Sequence, residues 1–149
     1  MPHLVLYYTA NLEHDIDIPP LCRALADTML EIRDENGAAV FPVGGVRVLA
    51  YPAAHHAVAD GGKAGLEQAH AFSHGAGDYA FIYLNLRMGR GRSAQTHQRI
   101  GTALETTLKN TFTPLLEKRP IGVTFQIDEG PEVFDMKLSS LHPLFKKGS

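Results

Sequence analysis

The chain opens on Met1-Pro2-His3-Leu4-Val5-Leu6-Tyr7-Tyr8-Thr9, and from His3 to Tyr8 nearly every position is apolar or aromatic. Both alternating faces share this character, the pattern of a strand buried on two sides. A polar turn follows from Thr9 to His14. Asp17 and Pro19-Pro20 then mark a helix entry, because proline is tolerated in a first turn. Leu21, Leu25, Met29 and Ile32 recur at helical spacing, while Arg23, Asp27, Glu31 and Asp34 point elsewhere. Asn36-Gly37 is the expected stop. Val46 to Tyr51 reads as a second strand ended by Pro52. A strand, helix and strand in this order form a right-handed parallel crossover.

Residues 53–77 break the pattern. They are rich in Ala, Gly and His, with a short helix expected near Lys63 to Phe72. A connection this long is usually functional or disordered. Asp78 to Arg87 reads as a third strand, with Ala80, Ile82, Leu84 and Leu86 on one face. Tyr79, Phe81, Tyr83, Asn85 and Arg87 occupy the other. The loop Gly89-Arg90-Gly91-Arg92-Ser93 follows, and Ser93 is a good N-cap for a helix with Ile100, Leu104, Leu108, Phe112 and Leu115 on one stripe. Pro114 is expected to kink or fray its end. Ile121, Val123, Phe125 and Ile127 alternate as a fourth strand. The segment from Gly130 to Phe145 holds two short apolar patches, fit to pack over an edge or on a neighbour. Lys146 to Ser149 reads as a solvated tail.

Strand–helix–strand therefore occurs twice. The expected fold is α+β, one domain over 1–149, with a four-stranded mixed sheet and two helices on one face. The first and third strands are apolar on both faces, and no third strong helix exists to cover the second face. Self-association is the simple solution.

Composition narrows the function. At 149 residues with 44% hydrophobic and 20% charged content, the chain has globular proportions and enough length for a real core. A net charge of −2 argues against bulk nucleic-acid or anionic-membrane binding, so anion recognition falls to locally placed arginines. Cys22 stands alone, which leaves no internal disulfide and suits a reducing compartment. The opening apolar run is too short for a signal peptide, and no run approaches the ~20 apolar residues of a membrane span. A soluble cytoplasmic protein is expected.

The candidate chemistry centres on Pro2. Removal of Met1, which a small second residue favours, would expose a proline secondary amine anchored on a sheet. Such an amine is nucleophilic, basic and conformationally fixed. Equally, a proline only starts a strand, a position it tolerates well. Arg47 lies in the second strand, and because strand starts lie together in a parallel crossover pair it is expected to share an end with Pro2. Arg92 reaches that end only if the second unit runs antiparallel to the first, or if it comes from another subunit. Its Gly-rich loop at a helix start is an anion-binding arrangement, through backbone N–H groups, the helix dipole and bidentate arginine contacts. His55, His56, His70 and His74 offer a zinc-like spacing, but no Cys or acid accompanies them, and neither a metal nor an organic cofactor is expected.

Pro2-His3, Phe41-Pro42 through Gly45-Val46-Arg47, Asp78-Tyr79-Ala80-Phe81, Gly89-Arg90-Gly91-Arg92-Ser93 and Phe125-Gln126-Ile127 occur in an order that resembles the 5-carboxymethyl-2-hydroxymuconate isomerase family of the tautomerase superfamily. The resemblance spans Pro2 to about Phe145. It implies a duplicated β-α-β fold, a cytoplasmic homotrimer, a role in aromatic compound catabolism, and a small carboxylate substrate. It also implies catalysis by Pro2 as general acid/base, with Arg47 and Arg92 matching arginines that hold substrate carboxylates. Two departures stand out: residues 53–77 are longer than the family pattern and could cover the site, and Met1 precedes Pro2. The other readings are a module of this fold that binds a small anion or a protein without isomerising anything, or a tautomerase of smaller enol acids such as phenylpyruvate.

Overall fold

A computed structural model describes residues 1–146; of the expected solvated tail, residues 147–149 lie outside the described residues. The elements are β1 (His3–Thr9), α1 (Ile18–Glu31), β2 (Arg47–Ala53), α2 (Lys63–Glu67), β3 (Ala80–Gly89), α3 (Ala94–Leu116) and β4 (Ile121–Gly130), with short 3₁₀ turns between several of them. The strands form one sheet in the order β2-β1-β3-β4. β1 pairs parallel with β2, β3 parallel with β4, and β1 antiparallel with β3. The two strand–helix–strand units therefore run in opposite directions about the β1–β3 seam.

One sheet face carries the core. Leu4, Leu6 and Tyr8 of β1 and Ile82, Leu84, Leu86 and Met88 of β3 are buried there against the apolar stripes of both long helices. Leu21, Leu25 and Met29 supply α1, and Ile100, Leu104, Leu108 and Phe112 supply α3. Burying each such side chain stabilises the fold by roughly 1.5–3 kcal/mol. The helices also meet through a 2.7 Å hydrogen bond between the hydroxyls of Thr28 and Thr107. The opposite face is open, with Tyr7, Leu49 and Tyr51 exposed and the rings of Tyr7 and Tyr51 stacked 5.7 Å apart.

The element order agrees with the sequence reading, while several boundaries move. α1 stops at Glu31, well before Asn36-Gly37. Those two residues instead close a tight turn, in which Asp34 N–H donates to Ala38 O at 2.9 Å and Gly37 takes a left-handed φ of 81°. Pro52 lies inside β2 rather than ending it. This is permitted because β2 is an edge strand, where a missing N–H costs no ladder bond. Pro114 leaves α3 intact for two further residues. β3 begins and ends two residues later than the aromatic alternation suggests.

Candidate active site

In the strand registers, His3 stands opposite Arg47 on one side and Arg87 on the other. The starts of β1 and β2 and the end of β3 therefore share one end of the sheet. The loop after β3 lies there too, so the antiparallel seam brings Arg92 to the Pro2 end within a single subunit. Pro2 is buried and packs on the turn Val43–Gly45. A methyl group built on Gly45 would stand 2.9 Å from Pro42 Cγ and 3.6 Å from Pro2 Cδ. A side chain there would crowd the Pro42 ring, while its contact with Pro2 would be an ordinary one.

Both arginines are pinned by backbone carbonyls. Arg47 Nη1 donates to Gly44 O at 2.8 Å and to Val46 O at 2.9 Å. Arg92 Nη1 donates to Gly89 O at 3.0 Å and Nη2 to Val40 O at 3.3 Å. The Arg92 guanidinium also lies over the Phe41 ring, 5.2 Å from its centre. These bonds engage part of each planar fork. The remaining N–H groups are the kind of donors a carboxylate takes bidentately.

The terminal amine feels this surrounding charge. The Met1 ammonium is held below its ordinary value of 8.0, first by burial and next by the Lys137 charge. Glu132 opposes the shift, and Arg92 and Arg47 add to it. His3 is likewise pushed down by burial, by the terminal amine and by Arg47. Desolvation and like charge both disfavour the protonated form. An amine in this place is therefore deprotonated more readily than one in water.

Lys137 and Glu132 belong to the segment expected to pack over an edge or on a neighbour. It leaves β4 at Gly130, which pairs with Gly89 at the end of β3. It ends in the 3₁₀ turn His142–Phe145 against Gly44, where an added methyl would stand 3.1 Å from His142 Cα and 3.2 Å from Phe145 Cδ2. The chain thus crosses the Pro2 end of the sheet from the β4 side to the β2 side. Val133, Phe134, Met136 and Leu138 project from it into solvent. No periodicity marks this segment, which is why its contribution was not legible.

Two expectations need correction. The start of α3 is already occupied by an anion of the chain itself. Ser93 Oγ donates to Glu35 Oε1 at 2.6 Å and Thr96 Oγ1 to Oε2 at 2.5 Å, and these bonds push Glu35 down to about 2. The helix terminus is thus filled, and from this loop Arg92 turns toward the Pro2 end. Secondly, the long connection leaves β2 after Ala53 and enters β3 at Ala80, at the opposite end of the sheet from Pro2. It does not cover this site in its own subunit. Within it His55, His56 and His70 are exposed, and His74 contacts Asp15. Among the described residues no group of three or more His, Cys, Asp or Glu side chains could hold a metal ion.

A groove of about 710 Å³ runs between α3 and the edge strand β4, lined by residues including His97, Leu108, Phe112 and Phe125. It contains none of Pro2, Arg47 and Arg92 and offers no comparable set of cations. The candidate site is therefore the cluster at the strand ends. Among the described residues no helix is long and apolar enough to cross a membrane.

Comparison with known proteins agrees with this architecture. Residues 2–145 match the family model described as 5-carboxymethyl-2-hydroxymuconate isomerase. A curated relative, the 5-carboxymethyl-2-hydroxymuconate Delta-isomerase of Escherichia coli, is 27% identical over 98% of this chain and 100% of its own. A crystal structure of a 5-carboxymethyl-2-hydroxymuconate delta-isomerase superposes with a TM-score of 0.91 at 52% identity, covering 100% of this chain and 95% of that one. The 5-carboxymethyl-2-hydroxymuconate isomerase from Deinococcus radiodurans R1 superposes with a TM-score of 0.76 at 31% identity, covering 98% and 95%. The chain belongs to the 5-carboxymethyl-2-hydroxymuconate isomerase family and is an isomerase.

Proposed function

We propose that this protein isomerises 5-carboxymethyl-2-hydroxymuconate without a cofactor, using the Pro2 amine, freed by removal of Met1, as general acid and base. The observation that carries the reading is the convergence at one sheet end of the buried Pro2, Arg47 and Arg92 through the β1–β2 and β1–β3 registers. Arg47 and Arg92 would hold two substrate carboxylates through the N–H groups their carbonyl partners leave free. The neutral Pro2 nitrogen takes the proton of the 2-hydroxyl group. The C2–O bond becomes a carbonyl, the double bonds shift so that one lies between C3 and C4, and the same proton is delivered to C5. Negative charge on the intermediate dienolate is stabilised by the fixed guanidinium groups. A Pro2 amine would meet the burial and cations that hold the Met1 amine below its ordinary value, which supports a base that is readily neutral and a conjugate acid that readily donates.

The working assembly in this reading is a cytoplasmic homotrimer serving aromatic compound catabolism. The exposed Tyr7, Leu49 and Tyr51 on the open face support self-association. The single free Cys22 is compatible with a reducing compartment.

With Met1 in place the Pro2 nitrogen is an amide and not basic near neutral pH. Two preparations with equal fold and assembly are compared, one shown by intact mass to begin at Met1 and the other at Pro2. Only the second is expected to turn over substrate. Equal turnover in both would overturn the proposal.

A further inference from the structure

We propose that Lys137 is a substrate-binding residue that selects for a third carboxylate, so that this site prefers the tricarboxylic muconate over a dicarboxylic one. The inference rests on the isomerase reading above and deepens it. A muconate has a carboxylate at each end, and a carboxymethyl arm adds one more. Arg47 and Arg92 account for two. The segment after β4 is anchored at Gly130 on one side of the site and by His142–Phe145 on Gly44 at the other, so it must pass over the Pro2 end. Lys137 lies near the middle of that crossing. Among the charges around the Met1 amine, next to Pro2, that of Lys137 weighs most, ahead of Glu132 and both arginines.

The two acids of the segment leave Lys137 available. Its partner is Asp135, two residues away, and both side chains are about half exposed, at 45% and 46%. An exposed pair of this kind is worth little and exchanges readily for another carboxylate. Glu132 lies toward Arg87: a methyl group on Gly130 would stand 3.3 Å from Glu132 Oε1 and 3.2 Å from Arg87 Nε. It makes no ion pair with Lys137, whose partner is Asp135. A lysine on a strap is a mobile point charge, suited to a flexible arm, whereas the pinned arginines suit the rigid conjugated carboxylates.

The test uses protein beginning at Pro2, as wild type, Lys137→Gln and Lys137→Arg. Turnover is measured with 5-carboxymethyl-2-hydroxymuconate and with 2-hydroxymuconate, which lacks the arm. Calorimetric binding is measured with tricarballylate and glutarate, an unreactive tricarboxylate and dicarboxylate. Lys137→Gln is expected to lower kcat/KM for the tricarboxylic acid about tenfold, the scale of one charge-assisted hydrogen bond. Because the Lys137 charge also bears on the terminal amine, both acids are compared across pH at the plateau of each protein, where 2-hydroxymuconate should lose much less than the tricarboxylic acid, and circular dichroism shows that the variant is folded. Lys137→Arg should keep most of the preference, and the ratio of tricarballylate to glutarate affinity should fall in parallel. Equal losses on both acids, or no loss on either, overturn the inference. If the wild type isomerises neither acid, the isomerase reading fails by itself, and the affinity ratio alone then decides the role of Lys137.

Discussion

Arg92 and Phe41 form a fixed pair: the guanidinium lies 5.2 Å from the ring centre, on a side chain that is only 1% exposed. The ring limits where the arginine can go, and the Val40 and Gly89 carbonyls set its rotation. Phe41→Leu should therefore weaken substrate recognition without touching substrate. The expected loss in kcat/KM is about 1 kcal/mol, the scale of one cation–π contact. Arg92→Ala should cost about 1.5–3 kcal/mol, and Arg92→Lys should recover only part, since it lacks the planar fork. Steady-state kinetics on the three variants checks the order. Equal activity in Arg92→Ala and wild type would remove Arg92 from the site.

Ser93 caps α3 by accepting from Thr96 N–H at 3.1 Å and also donates to Glu35. Ser93→Ala should lower stability by about 1 kcal/mol, the usual cost of a lost cap. Glu35→Gln removes the charge that fills the helix terminus while keeping its shape. Its thermal midpoint should fall at neutral pH, with the difference from wild type shrinking as pH drops toward 2. The sign follows from a carboxylate whose affinity for protons is lowered by folding: its stabilisation is present above the unfolded value and is lost as pH falls through about 2. Thermal melts across that range are the measurement.

At the far end of the sheet, Arg119 is 2% exposed and donates to Asp15 Oδ2 at 2.5 Å, while His74 holds the other Asp15 oxygen. Burial alone would raise Asp15, but the hydrogen bonds and charges of Arg119 and His74 outweigh it and keep the carboxylate below its ordinary 3.8. Arg119→Met leaves a buried carboxylate short of its main partner and should cost about 3–5 kcal/mol. Asp15→Asn should lose stability at neutral pH and approach wild type in acid, once the wild-type carboxyl is protonated. Denaturant unfolding at two pH values distinguishes this from a simple packing loss.

The open sheet face supplies an assembly prediction. Leu49→Glu or Tyr51→Glu places a charge among the exposed apolar residues of β1 and β2 while leaving the helix-side core untouched. If the proposed trimer forms through this face, sedimentation should show either variant as folded protomers and the wild type as a trimer. A variant that remains trimeric would mean that the subunits meet elsewhere.

Much of this was legible in the chain. The alternation in β1, β3 and β4 and the stripes of α1 and α3 follow directly from burial on one sheet face, and Ser93 announces its helix. Pro2 and Arg47 were identifiable as residues sharing one end, whereas the place of Arg92 was left open between an antiparallel second unit and another subunit. That place depends on the antiparallel β1–β3 pairing, a long-range register that no local pattern encodes. Glu35 and Lys137 were missed for a related reason. Each is an ordinary surface charge in sequence, and acquires its role only because a distant segment lies beside it. The misplaced helix stop at Asn36-Gly37 shows the converse limit: one Asn-Gly pair serves a helix end or a tight turn equally well.

The opposed orientation of the two units gives the sheet two ends of matching construction, each with two parallel strands beginning there and the close of an antiparallel neighbour. Only one of them can hold a chain terminus. At the other end β3 begins in mid-chain, preceded by Tyr79, whose nitrogen is an ordinary peptide. An enzyme working as proposed above would therefore have one reaction centre, not two, from its two strand–helix–strand units. At the second end Arg119, Asp15 and His74 tie the long connection to the sheet. Doubling the unit in one chain has turned one of two symmetry-equivalent positions into a place where the protein stores rigidity.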